Sequence, residues 1–179
     1  MNILITILLI VAGIIALLLI IALFMKKEHY VKCDIVINAP RQKVFDFLRL
    51  LKNQEKFNKH AMEDSDRKKE FKGTDGTVGF VYSWSGDKNA GVGEKEIMNI
   101  VEGKSMEAEI RFTKPMPASA RMIMETISLS EDQTKVNWSN AGSLKYPFNV
   151  MIPMMERSVA KSMDASLLTL KDILENDRA

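Results

Sequence analysis

Residues 106–125 read MEAEIRFTKPMPASARMIME. Met106, Ala108, Ile110 and Phe112 alternate with Glu107, Glu109 and Arg111. After the break Pro115-Met116-Pro117, Ala118, Ala120, Met122 and Met124 alternate with Ser119, Arg121, Ile123 and Glu125. A period of two, with one side apolar, belongs to a strand covered on one face only. The short break predicts a hairpin rather than a parallel crossover. The same pattern runs through Val78, Phe80, Tyr82 and Trp84 before this stretch, and through Lys135-Val136-Asn137-Trp138 after it. Turn signals at Asp75-Gly76, Ser85-Gly86-Asp87, Glu102-Gly103-Lys104 and Glu131-Asp132-Gln133 separate the runs.

The flanks of this sheet have a different period. Tyr30 to Ile37 is strand-like and ends at Asn38-Ala39-Pro40, and Pro40 suits a first helical turn. Val44, Phe45, Leu48 and Leu51 recur at helical spacing, which predicts a helix over 40–51. Residues 52–64 are polar, with Phe57 and Met62 as their apolar points, and read as a short second helix or a loop. Toward the C-terminus Val159, Met163, Leu167, Leu170 and Leu174 form one apolar stripe, with Arg157, Lys161, Asp164 and Lys171 on other faces. This predicts one long amphipathic helix over 153–176. The element order is strand, one or two helices, a run of strands, and a final helix. A curved antiparallel sheet wrapped around a long C-terminal helix buries the apolar sides of both.

The first 25 residues carry no charged side chain, and between Ile3 and Met25 only Thr6 and Gly13 fall outside the apolar set. As a helix this run spans about 34 Å, enough for roughly 30 Å of hydrocarbon. A cleaved signal peptide fits less well. No Lys or Arg precedes the run, it exceeds the usual apolar region of a signal peptide, and the exit Leu23-Phe24-Met25-Lys26-Lys27 has no small-x-small site. The expected organisation is a transmembrane anchor over residues 1–27 and one domain over 28–179. Lys26, Lys27, Lys32, Arg41 and Lys43 all follow the span, so the positive-inside rule expects the N-terminus out and the C-terminal domain in the cytoplasm.

Composition excludes several classes. One cysteine and two histidines among 179 residues leave no disulfide, no Cys-based zinc cluster and no nucleophilic triad with visible spacing. No metal and no other cofactor is expected. A net charge of +2 gives no electrostatic case for nucleic acid. Gly91-Val92-Gly93 lacks the third glycine and following helix of a dinucleotide loop, and its glycines suit close backbone approach.

At this level the chain resembles the START-like, or helix-grip, superfamily of SRPBCC proteins, and is most similar to its polyketide cyclase/dehydrase and lipid-transport branch. The resemblance covers roughly residues 30–177. It rests on Ile37-Asn38-Ala39-Pro40 with Val44-Phe45, on Gly76-Thr77-Val78-Gly79, on Tyr82-Ser83-Trp84-Ser85-Gly86, on Gly91-Val92-Gly93-Glu94 and on Thr134-Lys135-Val136-Asn137-Trp138. Members often carry tryptophans after the first helix, where this chain has Phe57 and His60. The resemblance implies an α+β helix-grip fold with a space between the sheet and the final helix. It also implies a hydrophobic small molecule or lipid as the partner in that space.

Twelve methionines favour an adaptable apolar interior, either plain core or cavity wall. Met98, Met106, Met122, Met124, Met155 and Met163, with the aromatic Tyr82, Trp84 and Trp138, are the cavity-lining candidates. Glu94 joins them because it shares strand parity with Glu96, Met98 and Ile100. No catalytic residue is assigned. An enzyme of the cyclase or dehydratase kind needs a titratable group in the cavity, and Glu94, Glu96 and His60 are the candidates for it. A third alternative is a non-catalytic module that binds a protein partner and has a filled core.

Overall fold

β1 (Glu28–Ile37) is the first strand of a seven-stranded antiparallel sheet in the computed structural model, which describes residues 2–63, 67–86 and 91–176. Asp64 of the expected loop segment, Asp87 of one turn signal and the last three residues lie outside the described residues. α2 (Arg41–Leu48) follows, with Pro40 at its N-cap. A 3-10 turn at Leu51–Asn53 leads into the short helices α3 (Gln54–Phe57) and α4 (Lys59–Glu63). Then come β2 (Lys68–Lys72), β3 (Val81–Ser85), β4 (Val92–Val101), β5 (Ser105–Lys114), β6 (Ala118–Ser130) and β7 (Gln133–Ser143). A 3-10 turn at Phe148–Met151 opens α5 (Ile152–Asn176).

The strand order is β1-β7-β6-β5-β4-β3-β2. Strands β2 to β7 form a meander of neighbouring antiparallel pairs, and β1 closes it on β7 with Cys33 opposite Trp138. α5 packs its predicted stripe inward: Met163, Leu167, Leu170 and Leu174 are buried against Val31, Cys33, Met124, Val136 and Trp138 in one core. This is the α+β helix-grip architecture, a curved antiparallel sheet around a long C-terminal helix.

Three local differences from the sequence reading have simple causes. β2 has only Phe71 as an apolar residue among lysines and a glutamate, so it carries no readable alternation. β3 begins three residues later than Val78. Residues 74–80 form turns instead, tied to the 3-10 segment by the Asp75 carboxylate, which accepts from the N–H groups of Leu51 and Lys52 at 2.8 and 3.1 Å. The third difference is a bulge in β4 between Ile97 and Asn99. It shifts the alternation by one residue, so Ile97 and Ile100 face the core together and Met98 between them is exposed.

α1 (Ile3–Phe24) is apolar throughout, and of its residues only Ala22 is buried. It is long and apolar enough to cross a membrane, a test that a signal sequence near the N-terminus also passes. Three residues separate it from β1.

Candidate functional site

The interior face of the sheet is apolar apart from a few positions, and the most unusual of them is on β4. Gly93, Lys95 and Ile97 point inward on this strand, and Lys95 is buried. Across the sheet Lys95 lies between Tyr82 on β3 and Ile110 on β5, both also buried. A lysine ammonium is stable there only with a partner, since a buried unpaired charge costs several kcal/mol. α3 supplies the partner: Lys95 Nζ donates to Gln54 Oε1, and Gln54 Nε2 lies 3.9 Å from Met122 Sδ. Burial, reinforced by the nearby Arg67 guanidinium, pulls the Lys95 pKa down from 10.5 to about 8, against an opposing pull from Glu55. One of its three donors is taken by Gln54.

The next residue of α3 organises a second group beside the first. The Glu55 carboxylate accepts from Lys69 on β2, from Arg67 at 2.7 Å and from the Tyr82 hydroxyl. Arg67 also donates to the Tyr82 oxygen and lies over the Tyr82 and Trp84 rings at 5.5 and 5.8 Å. Burial raises the Glu55 pKa, but the hydrogen bonds from Lys69, Tyr82 and Arg67 outweigh it and hold the carboxyl below its ordinary range. Burial and the bond to Glu55 push the Tyr82 phenol well above its ordinary value. Tyr82 therefore stays a neutral donor near pH 7, and Glu55 an anion.

Gly93 lets this arrangement close. A Cβ there would stand 2.7 Å from Trp84 Cζ2, so only glycine allows the indole to lie across β4. Beyond Lys95 the interior is lined by Met106, Ala108, Met122, Met124, Trp138 and Met163, all buried. Trp138 Nε1 and Arg67 Nε are buried donors without a protein acceptor among the described residues.

The candidates named from the sequence thus divide. Tyr82, Trp84, Met106, Met122, Met124, Trp138 and Met163 are buried on the interior side, where they form packed core, and Met155 is half-buried near the start of α5. Glu94 and Glu96 lie elsewhere. Both face outward from β4, where Arg111 on β5 binds Glu94 at 2.7 Å and Glu96 at 2.5 Å and also holds Glu109. Met98 is exposed on the same outer side. The reason is one of phase: reading the β4 alternation from Met98 and Ile100 crosses the bulge and inverts it. His60, on α4, is exposed beside Glu63. Phasing from Ile97 singles out Lys95 as a charge on the apolar parity. Gln54, Glu55 and Arg67 carried no such signal, because they come from segments without periodicity.

Two concavities of the described residues lie away from the interior. An open trough of about 1030 Å³ involves Tyr30, Met98, Glu109, Arg121 and Ala141, mostly residues of the outer face. An apolar groove of about 210 Å³ lies between α1 and the 3-10 turn before α5. No group of three or more His, Cys, Asp or Glu that could hold a metal ion occurs among the described residues.

No protein-family model matches the chain, and no curated protein sequence matches it. Solved structures do. Norcoclaurine synthase from Thalictrum flavum, in complex with dopamine and hydroxybenzaldehyde, superposes with a TM-score of 0.62 at 12% identity, covering 86% of this chain and 90% of that one. The Zhui aromatase/cyclase from Streptomyces sp. R1128 gives a TM-score of 0.62 at 12% identity, covering 83% and 94%. The Aha1 protein of Colwellia psychrerythraea, a dimer in solution, gives 0.58 at 15% identity, covering 84% and 99%. These identities carry the fold and no further. What the chain shares with them is the helix-grip fold, a curved antiparallel sheet around a long C-terminal helix, here behind an apolar N-terminal helix.

Proposed function

We propose that the chain is a membrane-anchored helix-grip domain that binds an apolar small molecule or lipid between sheet and α5, with the ligand's acidic or carbonyl group at Lys95. The observation that carries this reading is the buried Lys95 ammonium on the mostly apolar inner face of the sheet, with the neutral Gln54 oxygen as its hydrogen-bond acceptor among the described residues. A ligand acceptor supplies a further partner for it, and each buried CH₂ of the ligand contributes about 0.8 kcal/mol. The interior is packed, so entry requires side chains to move. Met122, Met124, Met106 and Met163 are the kind that repack at low cost. α1 is the anchor in this reading, with residues 1–27 as the membrane segment and 28–179 as the domain. Lys26 and Lys27 after the span support, by the positive-inside rule, a cytoplasmic domain in this reading.

The full chain in detergent is titrated with decanoate and with decanol, reading thermal stability and intrinsic tryptophan fluorescence. Saturable decanoate binding that weakens at least tenfold in Lys95→Met, with decanol little affected, supports the reading. Equal decanoate binding by wild type and Lys95→Met overturns the role of Lys95. No binding of either probe, with no lipid extracted from the purified protein, favours the partner-binding module with a filled core. Reporters fused after residue 176 test the anchor: activity of an export-dependent reporter contradicts the orientation.

A second reading rests on the same buried Lys95 amine, bonded to Gln54 and with its pKa lowered by burial to about 8. A buried amine whose proton is held less tightly than usual is suited to acid–base work on a carbonyl substrate, as in a cyclase or dehydratase. It moves the catalytic candidate from Glu94, Glu96 and His60, which face outward or are exposed, to Lys95. Turnover of a polyketide-like carbonyl substrate that rises with an apparent pKa near 8 and disappears in Lys95→Met supports it.

A further inference from the structure

The segment between β7 and α5 concentrates exposed apolar side chains. Tyr146, Phe148, Met151 and Met154 are 42%, 47%, 44% and 66% exposed within nine residues. The segment is not a free loop, because Asn149 within it is fully buried and its Nδ2 donates to the carbonyl oxygens of Ala22 at 2.6 Å and Met25 at 3.1 Å. These are end carbonyls of α1, which have no partner within the helix. Asn149 thereby sets the 3-10 turn at a defined height on α1. Pro147, Phe148 and Val150 then border a groove whose other wall is Ile15, Leu18 and Leu19.

Height on α1 decides what this surface meets. Ile15 to Leu19 lie five to nine residues before the last helical residue, Phe24, or about 8–14 Å along the axis. If α1 spans the bilayer with Lys26 and Lys27 at the headgroups, side chains that touch Ile15 to Leu19 lie below the headgroup level. The charges fit the same placement. Lys145 and Arg157 flank the apolar segment in sequence, Lys26 and Lys27 follow the span, and Lys26 pairs with Glu156 at 2.7 Å, which also accepts from the Tyr30 N–H. Basic residues at this level favour anionic headgroups.

We infer that the 3-10 turn and the start of α5, residues 146–154, insert into the cytoplasmic leaflet beside α1, with acyl chains covering Phe148, Met151 and Met154. The domain is then held by two attachments, a spanning helix and an interfacial wedge. The N-terminal end of α5, one of the two walls of the interior, sits at the lipid. This inference rests on the reading of α1 as a membrane span.

The test uses the full chain with Cys33→Ala, reconstituted in vesicles of phosphatidylcholine and phosphatidylglycerol. Single cysteines at 148, 151, 10 and 129 carry an environment-sensitive fluorophore. Lipids bearing a nitroxide at a shallow or a deep acyl position quench labels at their own depth, and iodide quenches labels in water. The expected result is loss of fluorescence at 148, 151 and 10 with the nitroxide lipids, and at 129 with iodide only. Iodide quenching at 148 and 151 equal to that at 129, with position 10 still quenched by the nitroxide lipids, overturns the wedge and leaves the anchor. Absence of lipid quenching at position 10 overturns the anchor and the wedge together. Shielding of 148 and 151 from both iodide and nitroxide means that protein covers them, and also overturns the inference.

Discussion

Lys95 on β4 donates its ammonium to the side-chain oxygen of Gln54 on α3, a bond between two buried groups that ties the sheet to the short helices covering it. The charge is in the interior because Gly93, Lys95 and Ile97 share one parity of β4. The neutral acceptor meets it because the turn at Leu51–Asn53 brings α3 over the strand.

The first prediction concerns stability against pH. The Lys95 pKa is about 8 in the folded chain and 10.5 when free, so the unfolded chain binds the extra proton between these values. Stability therefore rises with pH from about 8 to 10.5, and below pH 8 the full cost of the buried charge is present. Lys95→Met removes that rise and is more stable than wild type near pH 7 by up to about 3 kcal/mol. Urea denaturation of the two proteins across this pH range measures it.

Glu55 gives the opposite sign. Its folded carboxyl titrates below the ordinary 4.5, so its contribution is present above that value and is lost as pH falls through the folded pKa. Glu55→Gln leaves Arg67, whose side chain is 6% exposed, without its anion. The expected loss is about 3–5 kcal/mol near neutral pH, with a smaller fall of stability on acidification than in wild type. Chemical denaturation at pH 7 and at pH 3 provides both readings.

Gly142 on β7 is a steric prediction. A Cβ there would stand 2.6 Å from His29 Cε1 and 2.6 Å from the Ser119 carbonyl oxygen. The imidazole is buried with Nε2 3.3 Å from Asn140 Oδ1, and the Ser119 oxygen is backbone, so little room can be made. Gly142→Ala should lower stability by about 1–3 kcal/mol, seen as a lower melting temperature. His29→Ala should recover part of the loss when combined with it.

Cys33 is expected to be inert in the folded protein. Burial, and next a hydrogen bond with Asp164, push its pKa up from 9.0 to about 12, and its Sγ lies 3.7 Å from the Ala160 oxygen. At pH 8 a thiol reagent should modify it only at the rate of opening of β1 from α5. A reaction as fast as that of a free thiol, in protein with an unchanged circular dichroism spectrum, contradicts this packing.

The architecture and the elements of its core were legible from local pattern. The alternation through Met106, Ala108, Ile110, Met122 and Met124 and the stripe from Met163 to Leu174 are local periodicities that map onto the buried face, while Phe112 at the end of β5 is exposed and Ala118 at the start of β6 half-buried. The charge-free run to Met25 likewise implied a helix without reference to any neighbour. The phase of β4 was not legible in this way, because a bulge between Ile97 and Asn99 is set by the pairing with β5. That one-residue shift places Glu94 and Met98 outside and Lys95 inside. The polar cluster was equally out of reach, since Gln54, Glu55, Arg67 and Tyr82 come from three separate segments that long-range packing alone brings together. The height of Phe148 on α1 belongs to the same class. It depends on Asn149 reaching carbonyl oxygens more than 120 residues earlier in the chain, a contact that no local pattern encodes.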